Sequence, residues 1–283
     1  MRSAIDFGIS NIDAVALVDG KLRYWTRPAL GAPTPELVRD VLAQGGVNLA
    51  DMRQLAVTGG RHQDLPDRLG GCEVVGVGEV PAIGRGGQEL NRLIGGDALV
   101  PTLVVSAGSG TAVISARGDQ YAHVTGTAVG GGTLLGLARL LLHTVDPQVI
   151  DDLAWQGDPN GADLSLGDVV GGPIGRLPAS ATAVNFGRLA RQDVPVGRAD
   201  LAAALVTLVG QVIAVTAINA ARAQQLERVV VIGHLTDMPT VRNVLELVGD
   251  YYGMRLTLPA NAGYGTALGA LYSATPLSAQ LSE

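Results

Sequence analysis

Several short segments of this sequence carry residue types suited to holding and moving a phosphate group. Asp6-Phe7-Gly8-Ile9-Ser10 and Gly108-Ser109-Gly110-Thr111 both join small residues to hydroxyls at a predicted strand–turn–strand corner. In such a turn, backbone N–H groups can face an anion while small side chains admit close approach. Either loop alone could be an ordinary hairpin; two at matching positions read as a nucleotide clamp. Asp6 ends its strand, placed to hold Mg²⁺ directly or through water. Val129-Gly130-Gly131-Gly132-Thr133 precedes an apolar run, which predicts a free helix N-terminus with exposed N–H groups, a natural anion site. Val230-Val231-Ile232-Gly233 and Asn261-Ala262-Gly263-Tyr264-Gly265 each end a strand with glycine; such turns suit a flat purine or simply tight packing. Glu79 follows a predicted strand in an apolar, glycine-flanked setting. There it could take a proton from a substrate hydroxyl, or serve as a first-turn helix residue favoured by the dipole.

These segments need a scaffold, and the pattern supplies one twice. Strands are expected at Arg2–Phe7, Ile12–Val18 and Lys21–Thr26, with Asp19-Gly20 as a two-residue hairpin turn. Thr34-Pro35 opens a helix that Gly45-Gly46 closes. Strand Gln54–Thr58, a helix through Arg61–Leu69, strand Glu73–Val77 and a helix from about Pro81 complete the first unit. The second unit begins with strands Leu103–Ala107, Thr111–Arg117 and Gln120–Val124, then a helix Gly131–His143. An irregular helical insertion at about 147–198 follows. Helix Asp200–Gln225, strand Arg228–Ile232, helix Asp237–Tyr252, strand Arg255–Leu258 and a helix from Gly263 close the chain. Without the insertion both units read β-β-β-α-β-α-β-α. That duplication predicts an α/β protein with the actin-like ATPase (ribonuclease H-like) fold, two units facing a central cleft with ligands at the strand ends. Residues 1–100 would carry the first phosphate loop and Glu79. Residues 101–283 would carry the second loop and the nucleotide site.

Composition narrows the chemistry further. The chain has 283 residues with 20 basic and 26 acidic side chains, and Lys21 is its only lysine. No Gly-Lys-Ser/Thr occurs, so a Walker-type P-loop is excluded. Gly108-Ser109-Gly110 lies between strands and lacks the third glycine of a dinucleotide fingerprint. The histidines (62, 123, 143, 234) show no metal-binding spacing, and GxSxG, HExxH and CxxC are absent. The net charge of −6 with scattered basic residues argues against nucleic acid as a partner. Cys72 is the only cysteine, which permits no internal disulfide and suits a reducing cytoplasm. The N-terminus reads directly into a strand, with no signal-peptide pattern. Leu201–Ala221 has no charged residue and the length to span a bilayer. Its Thr207, Gln211, Thr216 and Asn219 read instead as a buried globular helix, with no membrane partner expected.

The run His123-Val124-Thr125-Gly126-Thr127-Ala128-Val129-Gly130-Gly131-Gly132-Thr133-Leu134-Leu135-Gly136-Leu137 resembles the signature of type II (eukaryotic-like) pantothenate kinases. So do Gly108-Ser109-Gly110, Trp155-Gln156-Gly157-Asp158, Thr182-Ala183-Val184-Asn185-Phe186-Gly187 and Gly265-Thr266-Ala267-Leu268-Gly269-Ala270-Leu271. The resemblance implies a homodimeric kinase transferring the γ-phosphate of ATP, with Mg²⁺, to the primary hydroxyl of pantothenate in coenzyme A synthesis. It puts the catalytic base on Glu79, followed by Ala82, and the hydroxyl of the phosphate loop on Ser109. Asp6 and Gly8 fall on the first loop, and Ser109, His123, Thr125 and Gly126 on the acceptor site. Three positions depart from the family: Ile9 replaces a turn glycine, Asp13 a lysine, and His123 an arginine that holds the acidic substrate. A neutral histidine offers one donor where arginine offers a fork. These departures keep two alternatives open: a kinase for a neutral acceptor such as pantetheine, and a non-catalytic relative that binds nucleotide or a coenzyme A compound as a regulator. With the lysine gone, Arg61 and Arg85 are candidates to neutralise the phosphates.

Overall fold

The computed structural model describes residues 1–29, 31–191 and 195–273; the last ten residues assigned above to the second unit lie outside them. The first sheet begins with β1 (Arg2–Phe7), β2 (Asn11–Val18) and β3 (Lys21–Pro28). Asp19 and Gly20 both take positive φ at the tip between β2 and β3, as a twist-matched hairpin turn demands. In α1 (Pro35–Gln44), the Thr34 hydroxyl accepts from Leu37 N at 3.2 Å and Pro35 occupies the first turn. Then come β4 (Gln54–Gly59), β5 (Arg68–Leu69), β6 (Cys72–Gly76) and α2 (Glu79–Leu93). The helix expected through Arg61–Leu69 is absent. Arg61 sits in the left-handed region, a single 3-10 turn covers His62–Asp64, and Pro66 holds Leu65 extended. The rest of that stretch turns back as β5 against β6.

The second sheet starts from β7 (Thr102–Ala107), β8 (Thr111–Arg117) and β9 (Gln120–Thr127). Helices α3 (Gly131–Leu142) and α4 (Pro147–Gln156) follow. Among its described residues the irregular insertion expected at about 147–198 holds α4, a 3-10 turn at Pro159–Gly161 and the short α5 (Leu166–Val170), together with a strand pair the sequence pattern does not predict, β10 (Leu164–Ser165) with β11 (Thr182–Val184). The chain continues through α6 (Arg198–Ala223), β12 (Arg228–Ile232), α7 (Pro239–Tyr252), β13 (Leu256–Thr257) and α8 (Gly265–Ser273). The sheet orders are β3-β2-β1-β4-β6-β5 and β13-β12-β7-β8-β9. In both, an antiparallel three-strand meander meets parallel strands at its first member.

Side-chain alternation along the central strands divides the protein into layers. On β1, Ala4 faces a central core and Ile5 an outer one, where it meets Val38 and Leu42 of α1. On β7, Val104 faces the central core while Leu103 and Val105 face a second outer core of α3, α4, α6 and α7. Helix α6 is long and apolar enough to cross a membrane, but it packs on α3, α4, α7 and the second sheet, and that burial accounts for its composition.

The central layer consists of α2 and α8, side by side between the two sheets. Helix α2 packs on β7, β8 and β9, and α8 on β1, β2 and β4. The two helices meet through glycine: a Cβ on Gly86 would overlap Gly265 O, and one on Gly269 would overlap Ala82 O. Each helix lies against the sheet made by the other half of the chain. Helix α2 is further tied to the β8–β9 turn by Gln88 Nε2 donating to Gly118 O at 2.9 Å and Tyr121 Oη to Gln88 Oε1 at 2.9 Å.

Candidate active site

A cleft of about 860 Å³ opens where the two sheets' strand ends meet. Both predicted phosphate loops line it. Gly8, Ile9 and Ser10 come from the β1–β2 turn, and Gly108, Ser109, Gly110 and Thr111 from the β7–β8 turn. Although 99 residues apart, Ser10 Oγ and Ser109 Oγ lie 2.9 Å from each other. Asp6, Glu79, Gly131, Gly132 and Gly233 line the same cleft. Glu79 is the first residue of α2, so its helix carries it to the strand-end edge.

The glycine run before α3 is used differently from the free helix terminus expected above. Gly131 N donates to Gly108 O at 2.8 Å and Gly132 N to Ser109 O at 2.9 Å. These first-turn amides bolt the Gly108–Thr111 loop to the helix rather than waiting for a ligand. A Cβ on Gly130 would lie 2.8 Å from both Gly108 O and backbone atoms of Gly110, so only glycine allows this docking. At Gly233, φ is +106° and a Cβ would overlap Ala107 O, which keeps the ends of β12 and β7 close.

His123, Thr125 and Gly126 are not among the cleft-lining residues. They lie on β9, the edge strand of its sheet, with His123 and Gly126 exposed. Neither arginine candidate reaches the cleft. Arg61 pairs with Asp64 at 2.8 Å on the surface. Arg85 is fully buried; its Nε lies 2.9 Å from Glu89 Oε1 and its Nη1 3.2 Å from Asp119 Oδ1. Glu89 also takes Arg92 Nε at 2.8 Å, so this charge group anchors α2 inside the protein.

The lining residues include six carboxylates, Asp6, Asp13, Glu79, Asp146, Asp151 and Asp237, against one basic side chain, His234. Asp6 and Asp13 are register partners on β1 and β2. Burial pushes the Asp6 pKa up to about 7, with Asp13 and then Glu79 adding to the rise and His234 opposing it. The sequence offers His234 only as one of four histidines without metal-binding spacing. Its Nε2 lies 2.8 Å from Asp13 Oδ1 and its Nδ1 2.6 Å from Asp237 Oδ2. Burial works against its charge, but the bonds to Asp13 and Asp237 prevail and lift its pKa to about 10. Other residues missing from the sequence reading are Gly59 and Gly60, beside Asp6, and a partly apolar end formed by Leu134, Leu135, Pro147, Leu235, Met238 and Pro239. At that end the buried Asp151 accepts from Thr240 N at 3.0 Å and from the Thr240 hydroxyl, fixing α4 to the start of α7.

The topology and this cleft define an α/β protein with the actin-like fold. Solved structures agree. The (R)-2-hydroxyglutaryl-CoA dehydratase component A of Acidaminococcus fermentans aligns over 97% of this chain and 99% of its own, with TM-score 0.65 and 18% identity. The activator of 2-hydroxyisocaproyl-CoA dehydratase from Clostridium difficile, with bound ADPNP, aligns over 100% and 97%, with TM-score 0.63 and 14% identity. These share the fold. Within it the chain belongs to the Fumble family, whose model matches residues 88–273. A type II pantothenate kinase of Bacillus anthracis is 27% identical over 230 residues, 81% of this chain and 83% of that one.

Proposed function

We propose that this chain transfers the γ-phosphate of ATP to the primary hydroxyl of pantothenate. The observation that carries the reading is the meeting of Ser10 and Ser109 at 2.9 Å, in a cleft also lined by Asp6 and Glu79. Two hydroxyl-bearing glycine loops on opposite sheets suit opposite sides of a polyphosphate. Gly8, Ser10, Gly108, Ser109, Gly110 and Thr111 are assigned to the phosphates. Gly131, Gly132 and Gly233 are assigned to the nucleotide's approach, with Gly130 keeping the second loop in place. Glu79 is the base that takes the acceptor's hydroxyl proton as its oxygen attacks.

The donor set fits Mg²⁺. Among the described residues no cluster of three His, Cys, Asp or Glu side chains is arranged to hold a metal by itself. A lone carboxylate, Asp6, completed by water and phosphate oxygens is the usual protein share of such a site. With burial, Asp13 and Glu79 disfavouring the charged form of Asp6, a cation bound there would favour it. Bound there, Mg²⁺ would neutralise charge on the phosphate oxygens.

A neutral acceptor such as pantetheine is the second reading, and the cleft's charge favours it. Among the described residues six carboxylates line the cleft and His234 is its one basic side chain, while His123 stands on β9 outside the lining. Steady-state assays with Mg²⁺-ATP and either acceptor, with the product identified by mass spectrometry, decide the matter. Turnover of pantothenate supports the first reading, and turnover of pantetheine alone replaces it. Turnover of neither rejects the kinase assignment. A cytoplasmic homodimer completes the proposal, supported by the lone buried Cys72 and by exposed Leu140 and Trp155; light scattering tests the dimer.

A further inference from the structure

The trio Asp13, His234 and Asp237 takes no part in the roles assigned so far. Asp13 belongs to β2 of the first sheet, and His234 to the 3-10 turn after β12 of the second. Both nitrogens of the His234 ring face carboxylate oxygens at hydrogen-bond distance. A ring that meets acceptors at both nitrogens donates from both, and is an imidazolium. Its seat is built to fit. A Cβ on Gly263 would overlap the ring, Tyr264 meets it edge-on at 5.3 Å, and Tyr264 rests in turn on Tyr24 of β3 at 5.2 Å. Asp13 itself is nearly buried and stands opposite Asp6 on the neighbouring strand. Left alone, it would put a second negative charge beside the carboxylate assigned to the phosphate end of the cleft.

We propose that His234 is a positioning residue for nucleotide. It neutralises Asp13 from across the cleft, so that the phosphates meet Asp6 and its cation without a second uncompensated carboxylate. Because both ring nitrogens are occupied, His234 acts through Asp13 rather than by donating to a phosphate. The inference rests on the nucleotide-binding reading of the cleft, but not on the identity of the acceptor.

The test is a double-mutant cycle read as the Kd of Mg²⁺-AMPPNP by calorimetry, on variants whose folding is checked by circular dichroism. His234→Gln keeps a planar donor but leaves Asp13 charged, and affinity should fall about tenfold or more. Asp13→Asn/His234→Gln restores the net charge of the trio and should recover most of that loss. Asp13→Asn alone should bind at least as well as the wild type. Unchanged affinity in His234→Gln overturns the proposal. So does a double variant as weak as His234→Gln, which would mean that the histidine contacts nucleotide itself. If His234→Gln does not fold, the comparison of Asp13→Asn with wild type decides: weaker binding overturns the proposal. Failure of the wild type to bind Mg²⁺-AMPPNP at all would instead sink the nucleotide-site reading.

Discussion

Replacing Asp6 by asparagine should stabilise the protein in the absence of nucleotide, because burial, Asp13 and Glu79 all disfavour its charged carboxylate. Carrying its carboxyl from 3.8 to about 7 corresponds, at about 1.4 kcal/mol per pH unit, to a ceiling of about 4 kcal/mol against folding. Asp6 retains some solvent contact, which screens its neighbours and brings the expected cost to about 1–2 kcal/mol. For a chain of this size that is a rise in Tm of about 2–6 °C in Asp6→Asn. The sign follows from linkage. A carboxyl with a raised folded pKa binds more protons folded than unfolded between the two values, so wild-type stability falls as pH rises from about 4 to about 7. Below that window the acid is neutral in both states and the variant gains nothing; above it the gain is constant. Thermal melts in chelator at pH 4.5, 6 and 8 would show an advantage that grows and then levels. Mg²⁺-nucleotide should raise the wild-type Tm and leave Asp6→Asn nearly unmoved. A variant less stable than wild type at pH 8, or a pH-independent advantage, would refute the account of Asp6 as a carboxylate awaiting a cation.

Glu79→Gln should lower kcat about 10²–10⁴-fold while the Kd for nucleotide, measured by calorimetry, stays within about threefold. Gly130→Ala puts a methyl group 2.8 Å from Gly108 O and the Gly110 backbone. It should weaken nucleotide binding and cost about 1–3 kcal/mol in denaturant melts. Gly269→Ala, whose methyl would overlap Ala82 O, should lower stability by about 3 kcal/mol or more by prising α8 from α2.

Much of the scaffold is legible because local rules and tertiary demands agree. β1 begins and ends where the pattern puts it, and Asp19-Gly20 turns as its residue types require. Where the signals compete, the reading fails. Arg61–Leu69 has helical composition, but Pro66 and the left-handed Arg61 break it. The glycine and hydroxyl loops announce themselves, since close backbone approach needs those residue types. Charge placement does not. Nothing local says that Arg85 turns inward, although Glu89 four residues on offered a helical partner. The Asp13–His234 bond joins residues 221 positions apart, a separation that no local pattern reports.

The exchange of α2 and α8 also sets an order of events during synthesis. The inner face of the first sheet, including Ala4, Val15 and Ala56, is complete once β4 has been made, but α8 spans Gly265–Ser273. At about 5–20 residues per second, the nascent chain keeps that apolar face uncovered for roughly 10–40 s. Residues 1–100 therefore leave the ribosome as half of a clasp, and the two sheets are joined into one closed object only when α8 arrives. A chain stalled before residue 265 would hold Glu79, both glycine loops and His234, yet lack the helix that closes them into one body.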